Sequence, residues 1–173
     1  PCAYLIKPDG VTYRSWLTVF SPEAMVFEGP LDQPTRSRLG NCGWSWNGIT
    51  DHNGAWIMRA YQVDGDTLIG FIHQEGGTYD FYMGLAVSFD LGDSWSFCGD
   101  ILTPVPKTNV GGGPVLTIGG YFYVYFNDGG PCVARAPMAE VIAAAKQKKT
   151  SPWVKYVNGA WTGDPFTTRG SRL

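Results

Sequence analysis

Apolar and aromatic residues alternate with polar ones along much of this chain, which is the two-residue period of a half-buried β-strand. One block contains four such runs, separated by short polar or glycine-containing segments. The runs cover residues 55–61, 67–73, 81–87 and 95–98. Asp64-Gly65-Asp66 lies between the first two runs and is typical of a tight hairpin turn. We therefore predict four consecutive antiparallel strands in this block.

A second block repeats the same order. Its strands are predicted at residues 114–118, 121–126, 132–135 and 153–156. The segment 138–148 between the last two is predicted to be a helix, because it follows Pro137 and consists mostly of strong helix formers. Before the two blocks, residues 16–20 and 25–27 predict the end of an earlier set of strands, and residues 29–38 predict a loop.

The composition supports an all-β fold. The 173 residues include 23 glycines and 12 prolines, and 14% are aromatic while only 16% are charged, which is typical of a turn-rich globular domain. A net charge of −2 argues against nucleic acid or an anionic membrane as a partner. No apolar run approaches the roughly 18 residues of a membrane span. The first residues do not form a signal peptide, so we expect a mature or trimmed product.

The four cysteines leave two alternatives open. Cys2, Cys42, Cys98 and Cys132 are widely spaced and form no C-x-x-C pair, which argues against a zinc ribbon or a thioredoxin-like site. An even number is compatible with disulfides in an exported protein, and nearly as well with buried free thiols. The composition as a whole predicts a secreted protein.

The segment from Ser88 to Trp95 reads S-x-D-x-G-x-S-W and lies between the third and fourth strands of the first block. Ser88 and Asp90 can bond backbone N–H groups a few residues further on. Gly92 can adopt the positive φ of a tight turn, and Trp95 anchors the next strand. The segment resembles the Asp box (BNR repeat) of sialidase-like β-propellers, a group that includes glycoside hydrolases. The alternative is an ordinary β-turn followed by a tryptophan.

This resemblance implies a β-propeller of four-stranded antiparallel blades, of which about two and a half are visible. Since a propeller closes with about four to eight blades, the chain is either part of a five- or six-bladed ring or one of several copies that complete it, and we favour the former. The predicted divisions are the end of an earlier blade at 1–28, the Asp-box blade at 43–101, the next blade at 113–157 and the start of a further segment at 158–173.

Propeller geometry divides the polar residues between two faces. Turns between the first and second and between the third and fourth strands share one face, so Asp64, Asp66, Asp90 and Asp93 are interpreted as turn-formers. The opposite face carries the ligand sites in sialidase-like families. The segments expected there are 73–80, 103–113 and 127–130, with residues 44–52 approaching the same mouth. This mixture of carboxylates, amides and aromatic rings suits a sugar.

Glycoside hydrolysis uses two carboxyl groups, one as acid and one as base or nucleophile. Glu75 is the candidate acid, since it follows an apolar strand end where partial burial favours the protonated form. Asp51 and Asp128 are the candidate bases. An acidic residue at a glycine-rich strand end is also a common turn-former. The predicted substrate-binding residues are His73, His52, Trp44, Trp46, Asn47 and Asn127.

Two further stretches resemble the W-S-N-G and H-x-E patterns of bacterial and fungal sugar-acting propellers. They are Cys42–Ile49 and Gly70–Glu75, and the resemblance implies His73 and Glu75 as site residues. A true sialidase would also require three arginines at one mouth, which no pattern here provides. No G-x-S-x-G elbow, P-loop or H-E-x-x-H zinc motif is present.

We therefore expect a secreted glycoside hydrolase that acts on a polysaccharide. It requires no cofactor, and no metal-ligating residues are predicted, although a structural Ca²⁺ at the propeller centre is compatible with this fold. The alternatives are a non-catalytic lectin, with Trp44, Trp46 and Trp161 as stacking faces, and a structural surface-assembly module. Either would complete the propeller by oligomerisation, and the expected partners are a glycan and the rest of the ring or further copies of the chain.

Overall fold

A computed structural model describes residues 2–7, 9–18, 24–45, 54–75, 81–106, 108–111 and 113–173. These residues form three sheets, in which all neighbouring strands but one pair are antiparallel. The predicted all-β class is confirmed, and the described part of the chain contains one α-helix.

The first sheet consists of four strands in sequential order, which are β1 (Cys2–Ile6), β2 (Tyr13–Thr18), β3 (Ala24–Gly29) and β4 (Ser37–Asn41). The sequence predicted β2 and β3 but neither edge strand. The described residues 2–41 therefore form a four-stranded sheet, of which the sequence predicted two strands. The predicted loop over 29–38 is wrong for its last two residues, where β4 begins.

The second sheet contains the first predicted block. Its strands are β5 (Gly43–Ser45), β6 (Gly54–Asp64), β7 (Thr67–Glu75), β8 (Phe81–Ser88) and β9 (Ser94–Leu102), in the order β5-β9-β8-β7-β6. The four predicted strands are confirmed as β6 to β9, each longer than predicted. The fifth strand, β5, pairs parallel with the start of β9 at the outer edge.

The third sheet contains the second block. Its strands follow one another in the order β10 (Val115–Ile118), β11 (Tyr121–Asn127), β12 (Pro131–Pro137), β13 (Val154–Val157) and β14 (Ala160–Gly163). The predicted helix is confirmed as α1 (Met138–Lys146), between β12 and β13. No helix among the described residues is long and apolar enough to cross a bilayer. After residue 158, β14 adds a fifth strand to the edge of this sheet, and the prediction that 158–173 starts a further segment stays a prediction.

The second sheet lies between the other two because β7 buries both of its faces. Leu68 and Ile72 pack in the core shared with the first sheet, together with Trp16 of β2. Ile69 and Phe71 alternate with them and pack in the core shared with the third sheet. This explains the almost continuous apolar run along β7, since a strand covered on both sides needs no polar face.

Strands β1, β6 and β10, one from each sheet, lie on the same side of this stack. Tyr4 of β1, Arg59 of β6 and Leu116 of β10 line one cavity of about 180 Å³. The described residues form an open stack of three sheets.

Candidate functional site at the end of β7

His73 and Glu75 form a contact pair at the end of β7. They are two residues apart on one strand and so project to the same face. The His73 Nε2 atom lies 3.2 Å from the Glu75 Oε1 atom, and the His73 Nδ1 atom lies 2.9 Å from the carbonyl oxygen of Gly111. His73 is 7% exposed, whereas the Glu75 side chain is 37% exposed. The pair therefore joins a buried imidazole to a carboxyl group that solvent or a ligand can reach.

These two contacts define where protons must be. A carbonyl oxygen only accepts, so the hydrogen bond to Gly111 assigns a proton to Nδ1 of His73. A hydrogen bond between Nε2 and Glu75 then requires a second proton, carried either by the imidazole or by the carboxyl group. The Glu75 carboxyl group thus lies against an imidazole nitrogen at a partly exposed strand end.

Aromatic rings on both neighbouring strands hold His73 in place. The ring centroid of Trp56, on β6, lies 5.2 Å from that of His73. The ring of Phe81, at the start of β8, lies 6.4 Å away. With both rings against it and Nδ1 bonded to Gly111, the imidazole has little freedom to rotate. This rigidity orients Nε2 toward Glu75.

Asn127 lies beside the segment that holds His73. Its backbone N–H donates to the carbonyl of Val110 at 2.8 Å, and its side-chain amide donates to the carbonyl of Asn109 at 3.1 Å. Gly111 and Asn127 also line one cavity of about 270 Å³. The structure therefore brings three predicted site residues, His73, Glu75 and Asn127, to one region. The Asn127 side chain is occupied in part by these loop contacts.

Asp128 has a structural role instead of the predicted role as base. It is only 1% exposed, and both carboxylate oxygens accept hydrogen bonds. Oδ1 accepts from the backbone N–H of Val105 at 2.7 Å, and Oδ2 accepts from that of Gly170 at 2.8 Å. The ammonium group of Lys155 lies 3.5 Å from Oδ2. A carboxylate so fully occupied has no lone pair directed at a substrate water.

Lys155 is the buried counter-charge of Asp128 and joins three segments of the chain. Its ammonium group donates to the carbonyl of Thr103 at 2.6 Å and to that of Thr168 at 2.8 Å. Burial lowers the pKa of Lys155, and the charge of Asp128 opposes that shift without cancelling it. The pair fixes the link between the second and third sheets and the C-terminal segment against β13.

Trp44 does not approach the same mouth as Glu75, contrary to the prediction. It lies on β5, which pairs with the first residues of β9, and its ring stacks on Trp95 at 6.3 Å. Glu75 lies at the other end of β7, opposite Phe81. Five or six residues at about 3.3 Å each separate the two ends, so the distance is roughly 20 Å. Trp46, Asn47, Asp51 and His52 lie outside the described residues.

The Ser88–Trp95 turn is closed by side-chain hydrogen bonds. The Ser88 hydroxyl donates to the carboxylate of Asp90 at 2.7 Å and accepts from the N–H of Gly92 at 2.7 Å. Asp90 also accepts from the backbone N–H of Ser94 at 2.9 Å and from its hydroxyl at 2.6 Å. Burial alone raises the pKa of Asp90, but the bonds from Ser94 and Ser88 outweigh it, so the net shift is downward.

This turn also fastens the second sheet to the first. The indole N–H of Trp16 donates to the carbonyl of Gly92 at 2.9 Å, and its ring meets that of Trp95 edge-on at 5.7 Å. Arg14 forms an ion pair with Asp93 in the same turn. The turn is thus a structural junction, at the opposite end of the second sheet from Glu75.

A buried pair that the sequence analysis missed lies next to the site. Gln74, between His73 and Glu75, is 1% exposed, and its Nε2 atom lies 2.5 Å from the Asp100 carboxylate. Burial raises the pKa of Asp100, and the bond from Gln74 opposes the shift only in part. The polar Gln74 inside an apolar strand was the available signal, since such a residue needs a partner.

Asp100→Asn should stabilise the chain at pH 8 by about 1 kcal/mol, because an amide avoids the penalty of burying a charge. The sign follows from the raised pKa: the unfolded chain ionises near the ordinary value of 3.8, so stability falls as pH rises from there through the folded value. The gain should shrink toward zero at pH 4. Urea unfolding at both pH values measures it, with the exposed Asp66→Asn as control. A loss of stability at pH 8 would contradict this prediction.

The described residues contain no group of three His, Cys, Asp or Glu side chains that could hold a metal ion. Cys98 and Cys132 are free thiols, so neither of these two forms the disulfide that the sequence left open. Burial raises the pKa of Cys98 to about 12, which keeps this thiol protonated and unreactive at neutral pH.

No protein-family model matches this chain, and no curated protein sequence matches it significantly. The resemblance to sialidase-like propellers therefore rests on the quoted residues alone.

Proposed function

We propose that this chain is part of a β-propeller that hydrolyses glycosidic bonds of a polysaccharide, with Glu75 as the general acid. The observation that carries the proposal is the His73–Glu75 pair, in which a buried imidazole, bonded to the Gly111 carbonyl, lies 3.2 Å from a partly exposed carboxyl group. A polysaccharide substrate also fits the expectation of a secreted protein.

Three features support the propeller part of the proposal. The sheets stack face to face, and β1, β6 and β10 lie on one common side. The Ser88–Trp95 turn has the hydrogen bonds that its motif requires and holds the neighbouring sheet. Glu75 lies at the end of the second sheet opposite that turn, which is the ligand end in sialidase-like families.

The chemistry expected of Glu75 is donation of its proton to the leaving oxygen of the glycoside. A positioned general acid of this kind contributes about 10² to 10⁴ in rate. In this role the exposed carboxyl oxygen would carry the proton and give it to the leaving oxygen, while the other carboxyl oxygen lies against Nε2 of His73. The backbone carbonyl of Gly111 keeps the imidazole in the required tautomer.

The second carboxylate of the reaction is proposed to be Asp51, because both oxygens of Asp128 are occupied. Its role depends on its separation from Glu75. About 5–5.5 Å between the carboxyl groups would make it a nucleophile with retention, and about 6.5–9.5 Å would make it a base with inversion.

Glu75→Gln should lower kcat by about a hundredfold on any polysaccharide that the wild type hydrolyses. The amide keeps the shape of the side chain but cannot donate the same proton. Release of reducing ends from a panel of neutral and acidic polysaccharides measures this. The matched control is Glu140→Gln on the exposed surface of α1, which should retain full activity. Equal rates for wild type and Glu75→Gln would contradict the assignment of Glu75.

The alternative function is non-catalytic glycan binding. The observation in its favour is that Asp128, the second predicted carboxylate among the described residues, is withdrawn into a buried ion pair. Titration calorimetry with the same panel separates the two functions. Binding of a glycan by wild type without any release of reducing ends would replace the hydrolase proposal with a lectin.

A further inference from the structure

The stack of three sheets leaves one face open at each end. On the third sheet, Phe122 and Val124 pack toward the second sheet, so their neighbours Tyr121 and Tyr123 point the other way. Ile118 lies opposite Tyr121 in the register and is 56% exposed. This outer face of the third sheet is therefore apolar and aromatic, which is unusual for a surface in contact with water alone.

The outer face of the first sheet has a similar character. Ala3 and Leu5 pack toward the second sheet, so Tyr4 between them points outward and is 58% exposed. Its ring lies 6.2 Å from that of Tyr13. Phe27 of β3 shares this face, because Tyr4 pairs with Ser15 and Ser15 pairs with Phe27.

The stacking order determines which faces are complementary. The first sheet presents one face to the second, and the second presents its opposite face to the third. A fourth sheet added to this stack would pack on the outer face of the third sheet. It would do so with the face that corresponds to the outer face of the first sheet. A second copy of this chain carries such a sheet, and the new contact would continue the packing already formed twice within the chain.

Charge supports the same pairing. At the junction of the first and second sheets, Arg14 lies near one end of β2 and pairs with Asp93, in the turn after the third strand of the second sheet. Arg135 lies near the corresponding end of the third sheet, two residues before β12 ends. The turn after the third strand of the first sheet carries the exposed Asp32.

Arg135 is held ready for a carboxylate partner. Its guanidinium lies 4.5 Å from the ring centroid of Tyr121 and 4.2 Å from that of Trp161. Both rings lie within cation–π distance of the guanidinium, and its one hydrogen bond among the described residues is a long one, 3.5 Å from Nη1 to the Tyr123 hydroxyl. Its Nε atom is buried and has no hydrogen-bond partner, so the cation is fixed in orientation but only partly satisfied.

We propose that two copies of this chain associate head to tail, with the third sheet of each packed on the first sheet of the other and Arg135 facing Asp32 of the partner subunit. Two copies give six sheets, within the four to eight that close a propeller. A heterologous contact of this kind closes into a ring when its rotation permits. The inference rests on the propeller part of the proposed function but not on the catalytic role of Glu75.

The test is the dimer dissociation constant, measured by native mass spectrometry and sedimentation equilibrium. Wild type should dimerise. Arg135→Glu and Asp32→Arg should each weaken the dimer by about tenfold, because each places like charges opposite one another. Ile118→Asp should weaken it by about a hundredfold, since it buries a charge at the centre of the contact.

Mixing the two charge variants gives the decisive result. A heterodimer of Arg135→Glu with Asp32→Arg has complementary charges at both contacts, so the mixture should recover the tighter dissociation constant that each variant alone has lost. Glu140→Arg on α1 is the control for charge change and should leave the dissociation constant unaltered. Circular dichroism checks that every variant is folded.

Three outcomes overturn the proposal: a wild type that stays monomeric at every concentration tested, a dimer that is insensitive to both charge variants, or a mixture that does not recover the tighter dissociation constant. A hydrolytically active monomer would overturn the dimer and leave the proposed function standing. A dimer that responds to the variants as expected but has no hydrolytic activity would support the dimer and overturn the proposed function.

Discussion

Asp128→Ala should lower the free energy of unfolding by about 3–5 kcal/mol, because it leaves a buried ammonium group without its counter-charge. Lys155 is fully buried, and its remaining partners are the carbonyls of Thr103 and Thr168, which carry no net charge. The same substitution removes the acceptor for the backbone N–H groups of Val105 and Gly170. Three segments would lose their common attachment. Urea denaturation followed by tryptophan fluorescence measures the change.

Two comparisons show whether burial causes this effect. The ion pair of Asp64 with Lys146 is exposed at 2.7 Å, so Asp64→Ala should leave the stability almost unchanged. The double variant Asp128→Asn with Lys155→Met removes both buried charges and should be more stable than Asp128→Ala. If Asp128→Ala were as stable as wild type, the carboxylate would not be the anchor that its contacts indicate.

The strands of the second sheet could be predicted because their side chains follow simple rules. β7 is covered on both faces and so shows an apolar run from Leu68 to Ile72, and a short turn at residues 65–66 precedes it. The helix α1 was predictable for the same reason, since its residues favour a helix without help from the rest of the chain. These signals depend only on residues that are close together in the chain, so a single sequence is enough to detect them.

Long-range partners could not be predicted in this way. Asp128 follows a strand and precedes two glycines, which is the pattern of a turn or a site, and only the fold brings Lys155 to it across 27 residues. Trp44 was placed near Glu75 by its position in the chain, but its pairing with β9 carries it to the other end of the sheet. β1, β4 and β14 are short strands whose pairing depends on neighbouring strands more than on their own residues.

Gly92→Ala should lower the free energy of unfolding by about 3–4 kcal/mol, through the sum of a backbone term and a packing term. Gly92 has a φ of +83°, which an alanine adopts only at a penalty of about 1–2 kcal/mol. An added Cβ would also overlap the indole ring of Trp16, which is fully buried. Displacing that ring would break its hydrogen bond to the Gly92 carbonyl and its contact with Trp95.

Gly159→Ala separates the two terms. Gly159 has nearly the same φ, +86°, and nothing lies within 4 Å of its added Cβ, so only the backbone penalty should remain. The difference between the two variants, measured in the same denaturation experiment, is then the free energy that the Trp16 contact contributes at the junction of the first and second sheets. Equal losses would mean that Trp16 can move without penalty, and the turn would then close β8 to β9 without fastening the first sheet. A larger loss for Gly92→Ala, with one cooperative transition, would mean that the two sheets unfold as a unit held by this turn.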